Sequence, residues 1–196
     1  MYAYTVTLIK KGIIMSTKAL IVVDIQNEYF PQGNLSLVGI NEAAANAALV
    51  IASAREKGHT VIHIRHEMPS ADAPIFTPGT DGVEINEKVK PIEGEAVITK
   101  HYPNSFRETS LKDLLDKENI KDVTVIGAMS HMCIDATVRA AVDFGYTTTT
   151  IHDACATLDL EFNGTTVPAA QAHATIMAAI EFLYGEVIDT QTWIAR

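Results

Sequence analysis

Short apolar runs, rich in β-branched residues, recur along the chain and are separated by stretches in which apolar positions return every three or four residues. The runs "KALIVVDI" (18–25), "HTVIHIRH" (59–66), "EAVITK" (95–100), "VTVIGA" (123–128), "YTTTTIHDA" (146–154) and the short "EVI" (186–188) predict strands. They are apolar throughout rather than alternating, as strands covered on both faces must be. Helical spacing starts at Ile40, with Ala43, Ala47, Val50, Ile51 and Ala54 on one face and Gly58 as the stop. "SLKDLLDKENI" (110–120) predicts a second helix. Beyond Cys133, the residues Ile134, Val138, Ala141 and Val142 form an apolar stripe, and Asp135, Arg139 and Asp143 a polar row. A last helix begins near Pro168, a favoured first-turn residue, and is expected to turn Ile176, Ile180 and Leu183 inward.

Strand alternating with helix predicts an α/β fold, a three-layer, doubly wound, mainly parallel sheet with helices on both faces. Two connections, 69–95 and 155–167, are longer than crossovers require, and such loops carry function or subunit contacts. No repeat or linker divides the chain of 196 residues, so one domain from residue 18 to 196 is expected. The first 14 residues, "MYAYTVTLIKKGII", stand apart from this pattern, and Met15 follows them. Residues 1–17 read as an N-terminal extension from an upstream start, or "YAYTVTLI" adds an edge strand. They lack the layout of a secretory signal.

Composition removes several function classes. The net charge of −9 leaves no basic patch for a phosphate backbone, so no nucleic-acid partner is expected. No apolar run reaches the roughly 18 to 20 residues of a spanning helix, and no membrane partner is expected. No glycine-rich turn of dinucleotide- or phosphate-binding spacing follows the first strand. Two cysteines, Cys133 and Cys155, are too few for a disulfide framework. Reduced thiols in a cytoplasm are the expectation.

In open parallel sheets, ligands bind beyond the carboxyl ends of the strands. Asp24, Lys100 and Cys133 all fall at such ends. Each alone has an ordinary role: a turn residue, a solvated charge, a small buried hydrophobe. Together they offer a thiol whose thiolate a helix start and an ammonium stabilise, and a carboxylate that can move its proton. Backbone N–H groups of the "GAMSHMC" turn can converge as an oxyanion hole. The residues by themselves leave Cys133 open between nucleophile and packing. Cys155, in "DACAT", reads as packing, and so do His131, His152 and His173.

The segments "ALIVVDIQNEYFPQGNL" (19–35), "ITKHYPNSFRETSLKDLL" (98–115), "VTVIGAMSHMCIDATVRAAVDFGY" (123–146) and "IHDACAT" (151–157), in that order, resemble the isochorismatase-like cysteine hydrolases. The resemblance runs from about Lys18 to Trp193. It implies a triad of Cys133 as nucleophile, Asp24 as general base and acid, and Lys100 as the orienting and charge-stabilising group. It also implies a cis peptide before Met129, with the Met129 and Cys133 N–H groups forming the oxyanion hole. The expected chemistry is hydrolysis of a C–N bond of a small molecule through a thioester. Gln26, Tyr29, Phe30, Asn104, Phe106 and Ile134 lie beside the triad positions and are candidates for substrate contact.

The nicotinamidase branch carries an Asp-x-His set and a further histidine for a metal. Here the matching stretch, "HIRHEMPSADAP" (63–74), has no such set, and His63 and His66 face opposite ways in an extended segment. No metal and no cofactor are expected. Relatives imply a homo-oligomer, a dimer or tetramer. Two other activities stay open: vinyl-ether hydrolysis of the isochorismatase kind, which needs no thiol, and a redox-sensing thiol module without turnover.

Overall fold

A computed structural model describes residues 17–196; the extension expected at 1–17, all but its last residue, and the edge strand expected within it lie outside the described residues. Successive elements are β1 (Lys18–Val23), α1 (Ile40–Glu56), β2 (Thr60–His66), β3 (Ala96–Lys100), α2 (Leu111–Lys117), β4 (Asp122–Ala128), α3 (Asp135–Asp143) and β5 (Thr147–Ala156). After them come β6 (Leu160–Phe162), β7 (Thr165–Val167), α4 (Ala169–Leu183), β8 (Glu186–Ile188) and α5 (Thr190–Ile194). Six strands form one parallel sheet in the order β3-β2-β1-β4-β5-β8, the α/β architecture that the sequence predicts. The small hairpin β6–β7 sits in the connection 155–167. Its strands are too short for a periodicity to show.

Alternate residues of β1 enter two separate cores. Leu20 and Val22 pack with Ala44, Ala47 and Ile51 of α1 and Trp193 of α5, while Ala19, Ile21 and Val23 pack with Leu111 and Leu115 of α2, Val138 of α3 and Ile180 of α4. That two-sided burial is why the strand reads as a solid apolar run. One expected core position fails: Leu183 is 71% exposed. The inward row of α4 passes from Ile180 to Tyr184, four residues on, and so leaves Leu183 on the outer face.

The chain builds outward from β1 to β3, returns to the other side of β1 as β4, and then builds outward again. β1 and β4 therefore flank the point where the winding reverses, and the crevice beyond their carboxyl ends is where such sheets hold ligands. The two strands come very close there. Gly127 of β4 has φ +126, and a Cβ on it would stand 1.9 Å from the Val23 carbonyl oxygen. No other residue fits that position. The same stretch, between Val125 and Gly127, shifts register against β5, which bends the end of β4.

Candidate active site

Three strand ends deliver the central side chains. Asp24 follows β1 with φ +50, a left-handed conformation that aspartate tolerates better than most residues, and its N–H donates to the Ile64 carbonyl of β2 (3.0 Å). Lys100 is the last residue of β3, opposite His66 in the ladder, and its long stem spans the distance back to β1. Cys133 lies in a wide turn, Ser130–Ile134, that joins β4 to α3. The Ala128–Met129 peptide before it is cis, as the resemblance implies.

The Lys100 ammonium is the hub of the cluster. Its Nζ lies 2.7 Å from Asp24 Oδ2, 3.2 Å from Cys133 Sγ and 3.1 Å from His66 Nδ1. Three N–H bonds thus face three acceptors. Asp24 and Lys100 are wholly buried, and Cys133 is 5% exposed. Because an ammonium only donates, His66 Nδ1 accepts, so the ring is neutral and its proton sits on Nε2. Burial, and then the Lys100 charge, push His66 down to about 4. For Lys100 itself, burial works against the charge, but Asp24 and Cys133 outweigh it and hold the group above its ordinary value.

The thiol departs from expectation. Burial and the Asp24 carboxylate push Cys133 up to about 12, and the opposing pull of Lys100 does not offset them. A helix start and a nearby ammonium predict a depressed value, but sequence shows neither the burial nor the carboxylate beside the sulfur. Cys133 is therefore a thiol at rest. Asp24 complements it: its Oδ2 is ion-paired with Lys100 at 2.7 Å, while its Oδ1 is buried without a hydrogen-bond partner. A buried base with open lone pairs stands beside a thiol whose proton it can take.

Asp24, His66 and Cys133 are also a possible metal-ligand set, since their donor atoms lie within 4.8 Å of one another. Lys100 already places a cation against all three. The set is a cradle for an ammonium.

A cavity of about 300 Å³ opens over Cys133. Tyr29 and Leu35 come from the segment after β1, Met68, Ile75 and Phe76 from the long connection after β2, Pro103 from beyond β3, and Met129 and Met132 from the stretch between β4 and α3. Cys133, His66 and His101 supply its other lining groups. Phe76 stands edge-on to both Tyr29 (5.0 Å) and His66 (5.1 Å), which ties the long connection to the site. Another cavity, about 270 Å³, lies at the amino-terminal ends of the strands beside Lys18, Asp122 and Trp193. It lies at the end of the sheet opposite to the one where such folds hold ligands.

Of the six expected contact residues, Tyr29 lines the cavity and the other five do not. Gln26 is buried and committed: its amide donates to the carbonyls of His66 and Val83 (both 2.8 Å) and accepts from the His66 N–H (2.7 Å). Phe30 packs in the α1-side core. Asn104 uses Oδ1 to accept from the Phe106 N–H (2.9 Å), closing a local turn. Phe106 lies in the opposite core, stacked on Tyr146, and Ile134 is fully buried there. The reason is geometric. Successive residues of a strand point to opposite faces and successive residues of a helical turn diverge by roughly 100°, so a sequence neighbour of a site residue faces away from it. His66, weighed in the sequence only as a metal ligand, is a neighbour of Lys100 that the expected site did not include. Its signal was available in the parallel register that places it at the end of β2, between β1 and β3.

A thiol, a carboxylate and an ammonium gather at the winding reversal of a doubly wound sheet, an arrangement consistent with a triad. Comparison with known proteins agrees: the isochorismatase domain model matches residues 18–192, and the chain belongs to the isochorismatase family of hydrolases. It is 46% identical to the isochorismatase family protein YddQ of Bacillus subtilis, over 91% of this chain and 99% of that one. A crystal structure of an isochorismatase hydrolase from Oleispira antarctica superposes with a TM-score of 0.88 and 51% identity, covering 92% of this chain and 97% of the other. A more distant relative, maleamate amidohydrolase of Pseudomonas putida, is 28% identical over 88% of this chain and 83% of its own.

Proposed function

We propose that the protein hydrolyses a C–N bond of a small amide, carbamoyl or ureido compound through a thioester on Cys133. The observation that carries this reading is the buried Asp24 carboxylate, with open lone pairs, paired to Lys100 beside the Cys133 thiol. The relationship to an amidohydrolase supports it.

In the proposed cycle the Cys133 S–H proton passes to Asp24 as sulfur attacks the substrate carbonyl. A thiol at about 12 suits this order of events: the proton leaves during attack, and no free thiolate stands exposed between turnovers. Lys100, still positively charged, stabilises the sulfur as its negative charge develops. The N–H groups of Met129 and Cys133 hold the tetrahedral oxyanion. Collapse breaks the C–N bond, and the protonated Asp24 gives its proton to the departing nitrogen. Water then loses a proton to Asp24 and attacks the thioester. The acid leaves and the proton returns to sulfur. The sum is amide plus water giving acid plus ammonia or amine.

A redox-sensing role fits poorly. Sensor thiols are low in pKa and exposed, and Cys133 is neither. The test is ammonia release from a panel of primary carboxamides, carbamoyl and ureido compounds, with wild type and Cys133→Ala. Turnover lost in the variant is the expected result. Turnover retained without the sulfur overturns the reading and favours acid catalysis by Asp24 alone, as for a vinyl ether.

A further inference from the structure

The cavity over Cys133 offers a substrate little that is charged. Among the described residues, no lysine or arginine lines it. Lys100 is wholly buried and spends its three N–H bonds on Asp24, Cys133 and His66, and its charge is balanced by Asp24. The His66 ring is neutral because its Nδ1 faces that ammonium, so it presents an N–H and no imidazolium. His101 spends its Nδ1–H on the Glu67 carbonyl (2.6 Å). Of the guanidinium groups on nearby segments, Arg65 pairs with Glu67 and Glu84, and Arg107 lies over the Tyr102 ring. The far wall, from Leu35 through Met68, Ile75 and Phe76, is apolar.

Resting on the hydrolase reading above, we propose that the substrate is an uncharged amide with an apolar acyl group, and that the site discriminates against amides bearing a second, anionic group. A carboxylate on the acyl side has to lose its water against Met68, Ile75 and Phe76 with no cation to replace it. An alkyl or aryl group loses nothing there and buries apolar area. A cavity of about 300 Å³ is at the small end of ligand sites, which restricts the acyl group to a single ring or a short chain. This sets the protein apart from a relative such as maleamate amidohydrolase, whose named substrate class carries a carboxylate.

The experiment uses matched pairs. Ammonia release is measured with 4-methylbenzamide and 4-carbamoylbenzoate. In parallel, 4-methylbenzaldehyde and 4-formylbenzoate, which add reversibly to a thiol, are tested for protection of Cys133 against alkylation. The expected result is a preference of about a hundredfold or more for the methyl compound in both assays. Ile75→Lys, which adds a cation to the wall, is expected to move that preference at least about tenfold toward the carboxylate. Equal or better use of 4-carbamoylbenzoate overturns the substrate inference while leaving the hydrolase reading intact. Protection by the methyl aldehyde with no ammonia from either amide overturns the hydrolase reading while supporting the cavity's preference. No ammonia and no protection overturns both.

Discussion

Cys133 and Cys155 are a natural pair of controls. Both are buried, at 5% and 7% exposure, both belong to the same core, and burial pushes both thiols up to about 12. Both also border a cavity. What separates them is their polar company. Cys133 has the Lys100 ammonium at 3.2 Å together with the Asp24 carboxylate, whereas Cys155 is acted on by a backbone group of Gly127 and by the Asp153 carboxylate, with no ammonium among its partners. Acidity at rest therefore does not separate the two thiols. A carboxylate and an ammonium placed together around one sulfur do.

The sharpest way to break that comparison is to remove each sulfur. Cys133→Ala is expected to lower kcat/KM for an amide on the order of 10⁴-fold or more. Cys155→Ala is expected to leave it within about threefold, at a stability cost of about 1 to 2 kcal/mol for the lost packing. Steady-state kinetics and urea unfolding of both variants check this; comparable losses of activity contradict it.

The next effect concerns the ion pair. Asp24→Asn leaves the Lys100 charge buried and uncompensated, which is expected to cost about 3 to 5 kcal/mol of stability and to remove turnover. Adding Lys100→Met removes that stranded charge, so the double variant regains much of the stability and none of the activity. Unfolding midpoints of the single and double variants test it, and additive losses speak against a coupled pair.

A smaller effect is set by pH. His66 is held at about 4 in the fold against 6.5 when free. Between those values the unfolded chain binds the extra proton, so stability rises with pH across the window. The His66 contribution is complete above pH 6.5 and lost as pH falls to 4. Urea midpoints of wild type and His66→Gln, measured from pH 4 to 7, are expected to converge toward the acid end; parallel curves refute the assignment. The smallest effect is expected from Phe106→Leu. Because Phe106 stacks on Tyr146 in the core, it changes stability by about 1 to 2 kcal/mol and leaves KM unaltered.

Much of this architecture is legible in the chain. Continuous apolar runs such as "ALIVV" announce strands covered on both faces, and five of the six sheet strands fall within two residues of their predicted ends; the short β8 matches its run. Asp24, Lys100 and Cys133 could be singled out because a parallel sheet collects its strand ends at one edge. Other parts left no such trace. The turn before α3 is read in "GAMSHMC", but its wide-turn geometry over Ser130–Ile134 is not, and β6 and β7, at three residues each, are shorter than any period. The cavity wall is the larger loss. Leu35, Met68, Ile75 and Phe76 come together through folded connections, while Gln26, Phe30, Phe106 and Ile134 stand beside site residues in sequence and turn away from them in space. Proximity along the chain is a poor guide to a surface built from four different loops.

The most direct test of a nucleophilic Cys133 needs no knowledge of the natural substrate. Wild type and each cysteine-to-alanine variant are mixed with 4-nitrophenyl hexanoate, quenched in acid within the first turnovers, and mapped by peptide mass. The account predicts a burst of nitrophenolate and a hexanoyl thioester on Cys133, present in Cys155→Ala and absent in Cys133→Ala. An acyl group on Cys155, or no burst from the folded wild-type protein, contradicts it.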